Sequence, residues 1–254
     1  LGLDSFVFVD DSEFELGLIK TALPEVKTVM VPKDISEYPT IIRNLESDFF
    51  SFSSTHEDTS KTLMYKHERT RAEASKAFGS IDDYLASLGL CIKIYLDKNV
   101  SAVRAAQMTQ KTNQFNLRTY RYTEADINSF IVDTNHMVST FSLSDMYGDY
   151  GTTGLCIVEL YEDYAFIDTL LMSCRVIGRN VEYSFLTQII KELSEYKIKI
   201  INAEFILTNK NQQVEKFYEN LGFVCLSENN NKKIYSLNLE KYINNEKEYI
   251  KIIN

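Results

Sequence analysis

The sequence lacks the features that mark membrane proteins and nucleic-acid-binding proteins. No apolar run approaches the ~20 residues that a membrane span needs, and no signal peptide is visible. Lysine and arginine number 27 against 36 acidic residues, and the resulting net charge of -9 argues against nucleic acid or anionic lipid as the main partner. We therefore expect no nucleic acid and no membrane among the partners.

Cysteine and histidine are too few and too scattered to indicate a metal site. The cysteines fall mostly in strand-like segments and show no metal-ligand spacing; they are Cys91, Cys156, Cys174 and Cys225. We interpret them as reduced, buried thiols of a cytoplasmic protein. The histidines also lack partners at ligand spacing, and we expect a surface position for His56, His67 and His136.

The first fifty residues have the pattern of one β-α-β unit. An apolar strand over 6–9 is followed by a helix-like stretch over 13–23 and by a second short strand over 26–31. Such a unit belongs to a parallel sheet, which two strands alone do not stabilise. We therefore expect further strands, supplied by a segment upstream of Leu1 or by another molecule.

Two carboxylates follow the first of these strands. Asp10 and Asp11 stand at the carboxyl end of a parallel strand, where α/β sheets place their ligands, and carboxylate oxygens suit Mg²⁺. The alternative is that both acidic residues cap the next helix, which begins near Ser12 and Glu13. The sequence leaves these two interpretations open.

The chain continues as a charged helical connector and then a mixed α/β domain. Helical patterns cover 38–50, 57–78 and 81–90, and the middle one carries charges on nearly every face. We divide the chain into a first domain over 1–50, a connector over 51–90 and a second domain over 91–254. In the second domain we expect strands at 91–96, 165–172, 200–207, 224–226 and 233–239, helices at 100–112, 123–132, 181–196 and 209–223, and a hairpin turning near 148–151.

The most informative stretch is 170–180, LLMSCRVIGRN, in which a buried-type strand runs directly into a helix. The start of a helix aims its free backbone N–H groups and positive dipole end at an anion, and Arg175 and Arg179 add two charges. The pattern predicts a phosphate or pyrophosphate site. The alternative is an ordinary strand-to-helix turn with two solvated arginines.

This stretch resembles the coenzyme A pyrophosphate loop of the GNAT N-acetyltransferase fold, whose pattern is Arg/Gln-x-x-Gly-x-Gly/Ala. Asn180 stands where Gly or Ala is usual; asparagine tolerates a positive φ, but its side chain could crowd the phosphates. The resemblance implies that acetyl-CoA or a phosphopantetheine thioester is the cofactor. The residues that it implies as cofactor contacts are Leu170, Met172, Arg175, Gly178, Arg179 and Asn180.

A second element carries the same resemblance. The stretch 209–223, NKNQQVEKFYENLGF, has an amphipathic helical pattern that Gly222 closes as a C-cap. In GNAT proteins a helix ending in Phe-Tyr-x-x-x-Gly-Phe lies along the coenzyme. The resemblance implies that Tyr218 protonates the departing thiolate and that Asn211 lies near the pantetheine arm. For Tyr218 the alternative is a packing role in the core.

Taken together, the chain from about Phe6 to Phe223 resembles the FkbH-like family, which belongs to subfamily IIIC of the haloacid dehalogenase (HAD) superfamily. The resemblance rests on Phe-Val-Asp-Asp, similar to the fourth HAD motif, on TNQFN at 112–116 and on SCRVIGR at 173–179. It implies an α/β protein in which the C-terminal end of a HAD-like parallel domain precedes a GNAT-like mixed α/β domain. It also implies glyceryl or methoxymalonyl loading of an acyl carrier protein, an upstream HAD segment as partner, and Mg²⁺ only with a complete HAD domain.

Four further polar residues are candidates for contacts with substrate. In GNAT folds the loop between the first two helices borders the acceptor site, which implies this role for Asn113, Gln114 and Asn116. Helix capping and hydrogen bonds within the loop are the alternative. Asp168, one of few charges in an apolar strand, fits either a buried general base with a raised pKa or a structural hydrogen bond to a neighbouring segment.

Three functions stay open on the sequence. The chain is an acyltransferase module of a carrier-protein loading enzyme, a docking module that holds the phosphopantetheine arm without catalysis, or the accessory part of a HAD phosphatase. Tyr218 favours the first and Asn180 the second. The absence of a HAD nucleophile motif before Asp10 counts against the third.

Overall fold

The computed structural model describes residues 3–49, 67, 70–71 and 73–253, and the chain forms two compact units, Leu1–Ser54 and Thr55–Asn254. The predicted helix over 57–78 lies mostly outside the described residues. The end of the predicted connector packs against the second domain, because Leu85 and Leu88 are buried in the core of the second unit. Every helix in the described ranges is too short or too polar to span a bilayer.

The first unit confirms the predicted β-α-β arrangement. Strand β1 (Val7–Asp10) pairs in parallel with β2 (Lys27–Met30), and helix α1 (Glu13–Ala22) connects them. The side chain of Ser12 caps α1 by accepting the N–H of Glu15 at 3.4 Å. Helix α2 (Tyr38–Phe49) follows the second strand.

The second unit is built on one mixed sheet. Its strands, in chain order, are β3 (Cys91–Leu96), β4 (Phe115–Asn116), β5 (His136–Asp145), β6 (Gly148–Leu160), β7 (Tyr164–Met172), β8 (Ile200–Ile206), β9 (Val224–Asn229), β10 (Lys232–Asn238) and β11 (Lys251–Ile253). They lie in the order β11-β3-β5-β6-β7-β8-β10-β9, with β4 paired to β7. The pairs β7–β8 and β11–β3 are parallel, and the other pairs are antiparallel.

Helices cover both faces of this sheet. They are α3 (Ile81–Ser87), α4 (Ala102–Lys111), α5 (Glu124–Val132), α6 (Val181–Glu195) and α7 (Phe217–Asn220). The larger core joins α3, α6 and α7 to the sheet, and a smaller core joins α4 and α5 to it. The mixed α/β class expected for the second domain is therefore confirmed.

Three local predictions were wrong. The hairpin turns at residues 146–147 rather than 148–151, because β6 already begins at Gly148. A continuous helix over 209–223 is absent: Asn211 accepts the N–H of Thr208 at 2.7 Å, and such bonds compete with helix, so only a 3₁₀ turn and α7 form. Cys174 and Cys225 are exposed rather than buried.

The β5–β6 hairpin depends on one glycine. A Cβ added at Gly154 would stand 1.9 Å from the ring of Phe141, the residue opposite it in the ladder. Phe141 is itself fully buried against Phe185 of α6, so its ring has little room to move.

We predict that Gly154→Ala lowers the free energy of unfolding by about 1–3 kcal/mol through overpacking. Gly79→Ala is the matched control, since a Cβ there meets nothing within 4 Å. Urea unfolding followed by tyrosine fluorescence measures both. Equal midpoints for the two variants would contradict this packing account.

Candidate functional site

The loop between β7 and α6 is fastened to the sheet at its start. The N–H of Ser173 donates to the carbonyl of Thr153 at 2.7 Å, and a 3₁₀ turn over Cys174–Val176 follows. Val176 is fully buried, which anchors the turn in the core. The loop therefore presents a fixed backbone between the end of β7 and the first turn of α6.

Two residues of this loop adopt left-handed backbone conformations. Gly178 has a φ of 83°, and Asn180, the N-cap of α6, has a φ of 60° and a ψ of 15°. Asn180 thus adopts the positive φ that the sequence left open to it. Left-handed residues directly before a helix turn backbone N–H groups into a concave array that suits anions. The fifteen-residue α6 adds the positive end of its dipole.

The two arginines of the loop differ in their surroundings. Arg179 is buried, and its guanidinium donates to the carbonyl of Arg175 at 2.8 Å and to the hydroxyl of Tyr150 at 3.0 Å. It also lies 5.1 Å from the centre of the Tyr150 ring. Arg179 therefore braces the loop and is not a solvated charge. Arg175 is only partly buried and donates from Nε to Ser173 at 3.3 Å.

A carboxyl group occupies the first turn of α6. The Oε2 atom of Glu182 is enclosed and has no hydrogen-bond partner among the described residues. Burial raises the pKa of Glu182 to about 7, although its own backbone N–H and the charge of Lys247 act in the opposite direction. A bound phosphate beside this carboxyl group would favour its protonated form.

A C-terminal segment lies along α6. The Nδ2 of Asn180 donates to the hydroxyl of Tyr249 at 2.8 Å, the N–H of Lys247 donates to Ser184 at 3.2 Å, and Lys191 forms an ion pair with Glu246 at 2.7 Å. The bond to Tyr249 gives the Asn180 side chain a fixed partner at the helix start. The Asn180 side chain is therefore directed towards Tyr249.

Strands β7 and β8 pair only at their beginnings. Their parallel register runs from Tyr164 opposite Ile200 to Ile167 opposite Ala203 and then stops. Beyond it the strands are joined through a third piece of chain: the N–H of Leu117 donates to the carbonyl of Leu170 at 3.1 Å, and the N–H of Ile206 donates to the carbonyl of Leu117 at 2.8 Å. We call Phe115–Leu117 the inserted segment.

The inserted segment changes the interpretation of two predicted cofactor contacts. Leu170 accepts from Leu117, and Met172 is the ladder partner of Phe115. The edge of β7 that leads into the loop is therefore already paired with the protein's own backbone. With the inserted segment in place, a ligand cannot form backbone hydrogen bonds with this edge at Leu170 and Met172.

The predicted contacts of Asn211 and Asn116 are also internal. Asn211 is buried, and its Nδ2 donates to the carbonyls of Asn116 and Ile206, both at 2.9 Å. Asn116 is buried as well; it donates to the carbonyl of Thr112 at 3.2 Å and accepts the N–H of Thr119 at 2.8 Å. The bonds of Asn116 correspond to the alternative of capping and hydrogen bonds within the loop.

The other two acceptor candidates differ in exposure. Asn113 is partly buried and accepts from Arg121 at 2.6 Å, whereas Gln114 is exposed. Of the four predicted contacts in and beside this loop, only Gln114 therefore presents its side chain to solvent.

Asp168 is held in a network of donors. Its carboxylate forms an ion pair with Arg118 at 2.6 Å and accepts the hydroxyls of Tyr122 and Thr169, each at 2.8 Å. Burial and the nearby Asp168 charge raise the pKa of the Tyr122 hydroxyl well above its ordinary value. A carboxylate with these three partners is poorly placed to accept a substrate proton. The geometry therefore favours the alternative of a structural hydrogen bond to a neighbouring segment.

Tyr218 lies deep in the larger core. Its hydroxyl is buried and has no hydrogen-bond partner among the described residues, and burial raises its pKa well above 10. The ring contacts Phe217, Phe223 and Tyr235. Tyr218 thus combines a core position with a polar atom that the packing leaves unsatisfied.

The acidic pair of the first unit lies at the junction of β1 and α1. Oδ1 of Asp10 accepts the N–H of Ser12 at 2.8 Å, as the capping alternative expects. Among the described residues, no three His, Cys, Asp or Glu side chains lie close enough to hold a metal. Mg²⁺ in proteins is commonly held by one or two carboxylates, and waters or a phosphate complete its shell, so a magnesium site at Asp10 and Asp11 stays a prediction.

No family model and no curated protein matches the chain. Similar solved structures include the ribosomal-protein-S18-alanine N-acetyltransferase from Escherichia coli, at 14% identity over 61% of this chain and 99% of that chain, with a TM-score of 0.47. A protein from Desulfovibrio desulfuricans described as an acetyltransferase of the GNAT family is 11% identical over 58% of this chain and 99% of its own, with a TM-score of 0.47.

An N-acetyltransferase from Staphylococcus aureus is 14% identical over 59% of this chain and 99% of its own, with a TM-score of 0.43. The structural neighbours are thus acetyltransferases of the GNAT type, and none of these three concerns the HAD or FkbH-like resemblance. Identities and TM-scores of this size assign no activity to the chain. Any functional argument must therefore start from the geometry of its own residues.

Sequence reasoning missed two parts of the site. The inserted segment has only two residues in a formal ladder, too few to show strand alternation. Glu182 had a weak signal as an acidic residue in the first turn of α6, a place where a carboxylate ordinarily interacts with the helix dipole. Its burial follows from tertiary packing.

We predict that Glu182→Gln stabilises the protein above pH 7 and has little effect near pH 4.5. The folded-state pKa of about 7 lies above the ordinary value of 4.5, so folding loses stability as the pH rises between these values and the unfolded chain ionises first. Glutamine removes that loss. The melting temperatures of both proteins at pH 4.5 and pH 8 measure it.

The control is Glu195→Gln, a change of the same charge at an exposed position in the last turn of α6. It should shift the melting temperature equally little at both pH values. A pH-independent shift for Glu182→Gln would contradict the buried-carboxyl account.

Proposed function

We propose that the second unit binds the phosphate-bearing end of an acyl thioester, either acetyl-CoA or a phosphopantetheine thioester, at the loop that begins α6. The observation that carries the proposal is the pair of left-handed residues, Gly178 and Asn180, directly before a fifteen-residue helix. This backbone supplies oriented N–H donors and a positive dipole end, and Arg175 supplies charge.

The order of elements supports the same proposal. A strand, two helices, an antiparallel meander and then a parallel β7-α6-β8 unit place the loop at the carboxyl end of β7. Ligands of α/β sheets lie at the carboxyl ends of strands. Arg179 supports it indirectly, because its bonds to Arg175 and Tyr150 hold the loop in one conformation.

The finer part of the proposal concerns the partner. We propose that the thioester is carried by an acyl carrier protein and that the first unit completes a HAD-like domain of the FkbH-like type. The β-α-β unit with Asp10 at the end of β1 supports this, since its sheet has two strands in the part of the chain that the structure describes. An Asp-x-Asp strand encoded upstream of Leu1 would support the HAD assignment, and an upstream sequence without one would remove it along with Mg²⁺.

A second candidate function is acyl transfer with Tyr218 as the acid that protonates a departing thiolate. It is favoured by the unsatisfied buried hydroxyl of Tyr218. The raised pKa counts against this role, because a thiol has an ordinary pKa of about 8.5 and its thiolate is a weaker base than the Tyr218 phenolate. The role therefore requires that a bound ligand lower the pKa of Tyr218 by giving its hydroxyl a hydrogen-bond partner.

We predict that Arg175→Gln weakens the binding of acetyl-CoA by about tenfold, because one charge-assisted hydrogen bond to phosphate is lost. Isothermal titration calorimetry at two salt concentrations measures the dissociation constant. The control is Lys98→Gln, which removes the same charge from an exposed position beyond β3. If neither acetyl-CoA nor phosphopantetheine gives binding heat at millimolar concentration, the proposed function is contradicted.

We predict that Tyr218→Phe lowers acyl-transfer turnover on the order of 10²-fold if the second candidate holds. Phenylalanine keeps the ring contacts and removes only the proton, so the affinity for acetyl-CoA should stay the same. Phe217→Leu, in the neighbouring ring, controls for packing. Unchanged turnover in Tyr218→Phe would rule out the acid role and leave a module that binds without catalysis.

A further inference from the structure

The inserted segment occupies a place that the sheet leaves open. After Ile167 and Ala203 the parallel strands β7 and β8 are no longer paired, and Leu117 bonds to Leu170 on one side and to Ile206 on the other. The segment is therefore a short strand of the protein's own chain between two separated strands. Its partners on β7 lead directly into the loop proposed to hold phosphate.

We propose that the inserted segment is a removable strand that must leave before an amide-bearing thioester arm can bind along β7. This inference rests on the proposed function. A pantetheine arm is an extended chain with two amide groups, and such a chain adds to a strand edge by main-chain hydrogen bonds. An arm attached to a phosphate at the loop meets the edge of β7 at Leu170 and Met172, which the inserted segment now covers.

The inserted segment has a short backbone ladder but buried side chains, since Phe115 and Leu117 belong to the larger core. Its departure exposes both, so the open state is a minor one. The segment's formal ladder with β7 spans two residue pairs, which is short for a strand, and the side chain of Asn211 fastens the carbonyl of Asn116. Thr119 has a φ of 61°, an unfavourable conformation for a β-branched residue. This strained residue lies two positions beyond the inserted segment.

The space behind the segment contains a polar group that a ligand would satisfy. Phe115 packs edge-on against Phe217 at 5.2 Å, and Phe217 contacts Tyr218. The hydroxyl of Tyr218, one ring beyond Phe217, is buried and has no partner among the described residues. An unsatisfied buried hydroxyl calls for a partner that the closed state does not provide. A thioester group entering in place of Phe115 provides one.

The inserted segment also predicts that acetyl-CoA binds more weakly than it would to a protein whose β7 edge is open. If the open state is a minor fraction of the molecules, the apparent dissociation constant rises in inverse proportion to that fraction. The segment lowers the affinity only for ligands whose arm binds along the β7 edge. A ligand that has the phosphates but no arm binds equally well to both states.

A disulfide that holds the segment in place tests the proposal. Asn116 lies directly opposite Leu171 in the antiparallel ladder, so Asn116→Cys with Leu171→Cys places two thiols at the separation that a disulfide requires. The exposed Cys174 and Cys225 are changed to Ser in the same protein. The matched control is His136→Cys with Glu159→Cys, opposite positions in β5 and β6 away from the segment.

Calorimetry then compares acetyl-CoA with 3′-phosphoadenosine 5′-diphosphate, which is coenzyme A without its arm. We expect the oxidised 116–171 protein to bind acetyl-CoA about tenfold or more weakly than the reduced protein, and the armless nucleotide with the same affinity in both states. The control disulfide should leave both affinities unchanged.

Equal acetyl-CoA affinity in the oxidised and reduced proteins overturns the inference while the proposed function stands. Binding of neither ligand to the reduced protein overturns both. Hydrogen exchange on the unaltered protein is a second measurement that needs no substitution: saturating acetyl-CoA should speed exchange at the Leu117 amide, and the armless nucleotide should not. Unchanged protection of that amide with acetyl-CoA bound also overturns the inference.

Discussion

The structure depends on the separation of two parallel strands. Strands β7 and β8 pair as far as Ile167 and Ala203 and then diverge, and this divergence leaves backbone groups on both strands that must find partners. Leu117 supplies them on both sides, and Asn211 fastens the result. The end of β7 beyond this divergence leads into the loop before α6, so the proposed anion site and the filled gap lie at the same end of that strand.

The electrostatics of the loop are a balance of opposed groups at one helix start. The dipole of α6 and the guanidinium of Arg175 favour an anion, whereas the enclosed carboxyl of Glu182 already occupies part of that environment. Because burial raises the pKa of Glu182 to about 7, this carboxyl group takes up a proton readily near neutral pH and need not repel a phosphate. If the loop binds a phosphate as proposed, we expect that binding to be coupled to proton uptake by Glu182.

The features that the sequence predicted correctly are those set by interactions between residues close together in the chain. The start of α6 and the β-α-β unit with Asp10 follow from the helix-start pattern and apolar periodicity, and the positive φ of Asn180 is one that asparagine tolerates. What the sequence did not predict depends on distant partners. The pairing of Phe115 with Met172, the burial of Arg179 against Tyr150 and the ion pair of Asp168 with Arg118 join residues far apart in the chain, which no local pattern encodes.

The central claim is that the first turn of α6 and the loop before it hold a phosphate group. Amide ¹H–¹⁵N spectra of the second unit within the whole chain, recorded during titration with 3′-phosphoadenosine 5′-diphosphate, test it most directly. The account predicts that the largest shifts appear at the backbone amides of residues 178–184 and saturate together. Saturable shifts centred elsewhere, with the amides of residues 178–184 unmoved, would contradict it.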